Sequence, residues 1–181
     1  MIRSVDFRSK LLTLETLPAW RDRLRAEGKK LAATNGCFDL LHLGHVNYLA
    51  AARAQADALV VGVNSDASIR QLKGPGRPLN PEADRALVLA ALESVDAVCI
   101  FDDLRATRLL TLARPDVYVK GGDYAVEQLP QEEREAVAVA GGRIVVLGYV
   151  PGCSTTGLLE KISGTPSRPC TATNLRPLFS L

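Results

Sequence analysis

The sequence predicts an α/β domain built around a doubly wound, parallel sheet of five strands, and three observations predict it. Short apolar runs at residues 31–34, 58–63, 97–101, 117–120 and 143–147 alternate with stretches of helical periodicity, which is the pattern of strand and crossover helix. Hydrophobic residues make up 47% of the 181 and aromatic ones only 5%. Such a balance suits an Ala/Val/Leu interior between sheet and helices better than a β-sandwich or an aromatic nucleic-acid platform. A polar, glycine-containing turn leaves the first of these runs and leads straight into a helix, as happens on the ligand edge of open α/β sheets.

Residues 1–28 are charged and mixed, with one helix at 17–26, and are expected to pack on the domain as an N-terminal extension. The domain proper spans residues 29–163. Leu31 to Thr34 forms its first strand, and Val46, Leu49, Ala50 and Ala54 recur at helical spacing beyond the turn. After the second strand, Leu72-Lys73-Gly74-Pro75-Gly76-Arg77-Pro78 reads as an irregular loop. Asn80 caps the next helix, Pro81 enters its first turn, and Glu82 and Asp84 sit beside the positive end of its dipole. Residues 86–92 are apolar nearly all round and are expected to be buried. A helix over 104–113 stops at Arg114-Pro115. Ser154-Thr155-Thr156 caps a last core helix carrying Leu158, Leu159 and Ile162. Residues 164–181 scatter Pro166, Pro169 and Pro177 among Ser, Thr and Arg without acids or periodicity, the composition of a disordered or loosely docked tail.

Charge and cysteine usage narrow the function classes. A net charge of +2, from 22 basic and 20 acidic residues, offers no basic face for DNA, RNA or an anionic membrane. Cys37, Cys99, Cys153 and Cys170 are far apart and form no CxxC pair. Neither a structural zinc site nor a disulfide framework is expected, and a reducing cytoplasm is the natural setting. No apolar run approaches the ~20 residues that cross a bilayer, and the first residues lack the apolar core of a secretion signal.

The chemistry concentrates in Thr34-Asn35-Gly36-Cys37-Phe38-Asp39-Leu40-Leu41-His42-Leu43-Gly44-His45. Gly36 and Gly44 leave room for a phosphate to approach, and the free N–H groups at the following helix's start favour anions. His42 and His45 are the only histidines in the chain, and they place two imidazole donors where charge builds up on a leaving phosphate. As bare residues the pair also reads as helix-capping histidines, or, with Cys37 or Asp39, as a zinc site.

The His42-Leu43-Gly44-His45 element resembles the HxGH signature of the cytidylyltransferase-like nucleotidyltransferases. Gly62-Val63-Asn64-Ser65-Asp66, Lys73-Gly74, Arg85, Tyr118-Val119-Lys120-Gly121-Gly122-Asp123-Tyr124 and Gly152-Cys153-Ser154-Thr155-Thr156 follow in the family's order over residues 30–162. Within the family, the KGGDY and GCSTT segments are most similar to the adenylyltransferases that act on heptose 1-phosphate. The resemblance implies a Rossmann-like fold of the HxGH type and transfer of AMP from ATP to D-glycero-β-D-manno-heptose 1-phosphate, with release of pyrophosphate. Mg2+ would arrive with ATP. A homodimer is expected, as is a separate heptose kinase, since many relatives are fused behind a ribokinase-like kinase for which this chain has no room.

By the same resemblance, His42 and His45 stabilise the departing pyrophosphate and Lys73 bridges the acceptor phosphate and the α-phosphate. Asn35, Gly36, Cys37, Phe38 and Gly44, then Lys120, Gly121, Gly122, Asp123 and Tyr124, then Ser154, Thr155 and Thr156, line the nucleotide. Each segment also has a plain structural explanation: Gly-Gly-Asp is common turn chemistry, the hydroxyls cap a helix, and Lys73 is an ordinary surface lysine. Asp39, Asn64, Asp66, Arg77 and Arg85 are acceptor-site candidates by residue type. Turn formation after a strand, or pairing of Arg85 with Asp84 or Glu82, explains these equally well. A sugar-phosphate dianion needs no general base, because its second pKa is about 6. The chain accordingly offers donors and cations in place of a Ser/His/Asp triad. Rival readings are a glycerol-3-phosphate or ethanolamine-phosphate cytidylyltransferase, an FMN adenylyltransferase, and a regulatory module that binds nucleotide without turnover.

Overall fold

The structure, a computed structural model, describes residues 6–122 and 125–148 together with Leu159 and Ile162. Asp123, Tyr124, the Ser154-Thr155-Thr156 segment and the tail at 164–181 lie outside the described residues. In chain order the elements are β1 (Leu11–Leu12), α1 (Leu17–Ala26), β2 (Leu31–Gly36), α2 (Leu43–Arg53), β3 (Ala58–Asn64), α3 (Asp66–Lys73), α4 (Glu82–Ala90), β4 (Ala97–Phe101), α5 (Thr107–Ala113), β5 (Val117–Gly121), α6 (Gln131–Val139) and β6 (Arg143–Leu147). The strands form one sheet in the order β1-β4-β3-β2-β5-β6, every neighbouring pair parallel. From β2 the chain steps outward to β3 and β4, then returns to the other side of β2 for β5 and β6. That reversal makes the gap between the carboxyl ends of β2 and β5 the topological switch point, where open α/β sheets bind ligands.

The sheet has six strands where the sequence predicts five. The additional strand is β1, whose Leu11 and Leu12 pair with Val98 and Cys99. A two-residue strand is too short to show alternation, so the N-terminal stretch reads as extension although it completes the sheet. Alternation in the longer strands divides the core between two faces. Leu31, Ala33, Val60 and Tyr118 pack with Leu109, Leu110 and Ala113 of α5, Leu17 of α1 and Val137 of α6. Ala32, Leu59, Val61 and Val119 face Leu49 and Ala52 of α2 and Ala86 and Leu89 of α4. Every residue of β3 is buried, which explains why it reads as a continuous apolar run.

An aspartate immediately before a strand recurs three times, and each carboxylate takes a backbone N–H at or next to the start of the neighbouring strand. Asp57 accepts from the Lys30 amide at 2.8 Å, Asp96 from the Leu59 amide at 2.8 Å and Asp116 from the Leu31 amide at 2.7 Å. Two of these acids also hold an arginine. Arg53 Nε reaches Asp96 at 2.7 Å, and Arg21 Nη2 of α1, with only 1% of the side chain exposed, reaches Asp116 at 2.8 Å. Arg21 also donates to the Lys29 and Arg114 carbonyls. The amino ends of β2, β3 and β5 are thereby locked in register.

Three local expectations change. Leu72 and Lys73 belong to α3, an eight-residue helix whose two large apolar residues, Ile69 and Leu72, are too few to show a period. Its cap is Ser65, whose Oγ accepts the Ser68 amide at 3.2 Å, and it ends at Gly74, where φ is +91°. Asn80 does not cap α4: Pro81 occupies that position, while Asn80 turns back and donates to the Asp39 carbonyl at 2.7 Å. The helix predicted from 104 starts at Thr107, with the Ala106 amide held by Glu133 of α6 at 2.9 Å.

Candidate active site

The turn between β2 and α2 carries the chemistry to the switch point. His42 is the N-cap of α2, its backbone extended and its Nδ1 accepting the His45 amide at 3.4 Å. With Nδ1 an acceptor, a neutral His42 carries its proton on Nε2, as a donor. The two imidazoles stack, with ring centroids 3.8 Å apart and planes at 21°. The edge of Phe38 meets His45 at a centroid distance of 5.2 Å. Phe38 is held at φ +46°, an uncommon conformation for a bulky side chain. Gly36 lies directly against that ring, and a Cβ there would come within 3.0 Å of Phe38 Cε2.

Electrostatics keep both imidazoles neutral near pH 7. Burial lowers the His42 pKa. Burial lowers that of His45 further, to about 4, assisted by neighbouring His42 and by the charge of Lys73 and opposed by the Leu40 backbone. Neutral imidazoles can donate to an anion, but a group titrating that low is a poor proton acceptor. Lys73, the exposed last residue of α3, is therefore close enough for its charge to be felt at His45, and it makes no ion pair among the described residues.

On the opposite side of the gap, Lys120 of β5 donates to Asn35 Oδ1 of β2 at 3.1 Å. Burial lowers the Lys120 pKa, and the charges of Glu133 and Cys37 oppose the shift. Asn35, Gly36, Cys37, Phe38, Gly44, Lys120, Gly121 and Gly122 thus gather around the ends of β2 and β5 and the start of α2. Asp123, Tyr124, Ser154, Thr155 and Thr156 lie outside the described residues.

The acceptor-site candidates form two ion pairs. Arg77 Nη1 meets Asp39 Oδ2, while Asp39 Oδ1 also takes the Leu79 and Asn80 amides at 2.7 and 3.1 Å. Burial would raise the Asp39 pKa, yet the two amides and Arg77 outweigh it and hold the carboxyl below its ordinary value. Arg85, 2% exposed, donates to the Cys37, Asn80 and Asn64 carbonyls and to Asp66 Oδ1. Asn64 is buried, its amide on Ser68 Oγ and the Asp103 carbonyl. Asp39, Asn64 and Arg85 therefore brace the turn from beneath, whereas Asp66 and Arg77 keep faces toward solvent, at 23% and 19% exposure.

Sequence reasoning missed Tyr48, Tyr118 and Glu133. The Tyr48 hydroxyl donates to the Val119 carbonyl at 2.9 Å and lies 2.6 Å from Thr34 Oγ1, tying α2 to both strands at the switch point. Tyr118 opens the segment that ends in Asp123 and Tyr124 but was given no role of its own, and Glu133 carries no motif; the fold brings the two together. Among the described residues, no three His, Cys, Asp or Glu side chains converge on a point that could hold a metal.

A cytidylyltransferase-like family model matches residues 33–165. The bifunctional protein HldE of Geotalea uraniireducens is 50% identical over 157 residues, 87% of this chain and 32% of that protein. That of Rhodopseudomonas palustris is 54% identical over 137 residues, covering 76% and 28%. The chain thus spans about a third of the length of these relatives. Among solved structures, a lipopolysaccharide core biosynthesis protein from Thermoplasma volcanium superposes with a TM-score of 0.55 at 25% identity, covering 67% of this chain and 97% of that one. A pantoate-β-alanine ligase from Francisella tularensis, with a TM-score of 0.51 at 11% identity and coverage of 84% and 76%, shares the fold. A doubly wound sheet with an HxGH turn at its switch point, matched by the family model over most of its length, makes this chain a member of the cytidylyltransferase-like family of nucleotidyltransferases.

Proposed function

We propose that the chain transfers AMP from ATP to D-glycero-β-D-manno-heptose 1-phosphate, yielding ADP-heptose and pyrophosphate for lipopolysaccharide core or other surface glycan synthesis. The observation that carries the reaction type is the stacked, neutral imidazole pair at the start of α2, across the switch point from Lys120. The choice of acceptor is supported by the similarity to HldE proteins and by the KGGDY and GCSTT segments.

In this reading an acceptor phosphate oxygen attacks the α-phosphorus, the new O–P bond forms, and the bond to the β-phosphate breaks in line. The acceptor dianion needs no base, in keeping with imidazoles that are poor proton acceptors. His42 and His45 instead donate to the departing pyrophosphate as its charge grows. Lys73, on an exposed helix end, reaches between acceptor phosphate and α-phosphate. Lys120, Asn35 and the glycines beside them border the nucleotide, together with Asp123, Tyr124, Ser154, Thr155 and Thr156. Asp66 and Arg77 face the sugar above the braced layer of Asp39, Asn64 and Arg85.

Mg2+ entering with ATP would neutralise phosphate charge. With Asp39 committed to Arg77 and two amides, the described residues suit a metal held by phosphates and water rather than by a protein cage. A cytoplasmic homodimer served by a separate heptose kinase completes the proposal.

A panel of each nucleoside triphosphate against heptose 1-phosphate, glycerol 3-phosphate, ethanolamine phosphate and FMN, read by pyrophosphate release, tests it. The expected result is turnover with ATP and heptose 1-phosphate. Preference for CTP with an alcohol phosphate, or for ATP with FMN, would overturn the acceptor. Nucleotide binding without pyrophosphate release would overturn the enzyme reading, and light scattering reports the dimer.

A further inference from the structure

Behind the nucleotide edge, a row of polar side chains crosses from α6 to the switch point. Glu133, 3% exposed, takes the Ala106 amide on Oε1 at 2.9 Å. Its Oε2 lies 2.9 Å from the Tyr118 hydroxyl, which is in turn 2.7 Å from Asn35 Oδ1. The single phenolic proton is shared between these two acceptors. Asn35 Oδ1 also accepts from Lys120 at 3.1 Å. No salt bridge neutralises Glu133 among the described residues, and a buried carboxylate is retained at a cost unless another group needs it. The row ends at Lys120.

We propose that Glu133 is a positioning residue for Lys120, acting through Tyr118 and Asn35 to hold the ammonium at the phosphates of the bound nucleotide. The nucleotide's place rests on the reaction proposed above; the Glu133-to-Lys120 coupling does not. Around Lys120 stand Glu133 from α6, Tyr118 from β5, and Asn35 and Cys37 from β2 and the turn that follows it. Burial favours a neutral amine, while the charges of Glu133 and Cys37 favour the ammonium. Removing the Glu133 charge while keeping its shape must therefore lower the Lys120 pKa, and any step that needs the ammonium is lost at a lower pH.

The test uses the full chain with Glu133→Gln, Tyr118→Phe and, as control, Glu132→Gln, whose exposed carboxylate pairs among the described residues with Arg105 alone. Competitive acetylation of Lys120 across pH, read by peptide mass spectrometry with and without ATP, reports its protonation without requiring turnover. Glu133→Gln is expected to move the labelling midpoint down, raise KM for ATP about tenfold with a smaller change in kcat, and shift the alkaline limb of kcat/KM to lower pH. Tyr118→Phe breaks the row but keeps the charge, so KM for ATP rises while the labelling midpoint moves less. Glu132→Gln should match the parent throughout.

An unmoved labelling midpoint in Glu133→Gln would overturn the proposal. If that variant does not fold, Tyr118→Phe decides: an unchanged KM for ATP and unchanged Lys120 labelling overturn it. Parent protein that releases no pyrophosphate from heptose 1-phosphate defeats the reaction assignment, while the labelling still reads the coupling between Glu133 and Lys120.

Discussion

His45 joins the chemistry of the site to the stability of the fold. Its pKa falls from 6.5 to about 4, chiefly through burial. Between those values the unfolded chain binds a proton that the folded one excludes. Its contribution is fully present above about pH 6.5 and is lost as pH drops toward about 4. Urea midpoints measured across this window should fall with pH, and His45→Gln should flatten the slope. His42→Ala and His45→Ala should each lower kcat about a hundredfold while changing ATP affinity little, because the contacts strengthen only as pyrophosphate leaves. Near-parental kcat in both would remove the leaving-group role. These histidines were legible in the sequence because both lie in one short turn. Glu133 was not, since its partners Tyr118 and Ala106 meet it only through the packing of α6 beside α5 and the sheet. Asp39 was legible as a polar residue near the centre, but its burial beneath Arg77 depends on a loop some forty residues away.

The elements show where periodicity suffices and where it fails. Strands β2 to β6 were legible because each carries several apolar residues in a run. The eight residues of α3 and the two of β1 are too few to display a period, and Pro81 rather than Asn80 begins α4 because Asp39 draws Asn80 away. Clamps at the amino ends of the strands are also invisible to periodicity, since an Asp before a strand looks like an ordinary turn residue. Asp116→Ala would leave the Arg21 guanidinium buried with only carbonyl partners and should cost about 3 kcal/mol in urea unfolding. Replacing Arg21 with Met in the same molecule should recover part of that loss. Gly142→Ala acts on the α6 to β6 connection, where a Cβ would stand 2.3 Å from the Pro115 carbonyl oxygen. Backbone must move to admit it, and a loss of about 2 kcal/mol is expected.

At the scale of the molecule, the parallel, doubly wound sheet followed from the alternation of strand and helix, whereas the strand order and the sixth strand did not. That strand covers the outer edge of β4, and the first segment also supplies Leu12, Leu14 and Trp20 to one core face. Removing residues 1–14 should uncover the Val98–Cys99 edge and promote association. Light scattering should detect larger species, while turnover per folded molecule is retained because no proposed site residue is removed. Turnover falling in step with folded protein, without association, would show that the segment serves stability alone. The aspartate clamps have a wider consequence. Phosphate chemistry is assigned to the carboxyl rim of the sheet, while Asp57, Asp96, Asp116, Arg21 and Arg53 secure the amino rim. Tolerance to heat and catalytic rate are thereby assigned to opposite ends of the strands. The common conflict between a rigid scaffold and a strained working site is eased by distance, and directed evolution for thermal endurance has a territory at the amino rim that it can reshape without touching turnover.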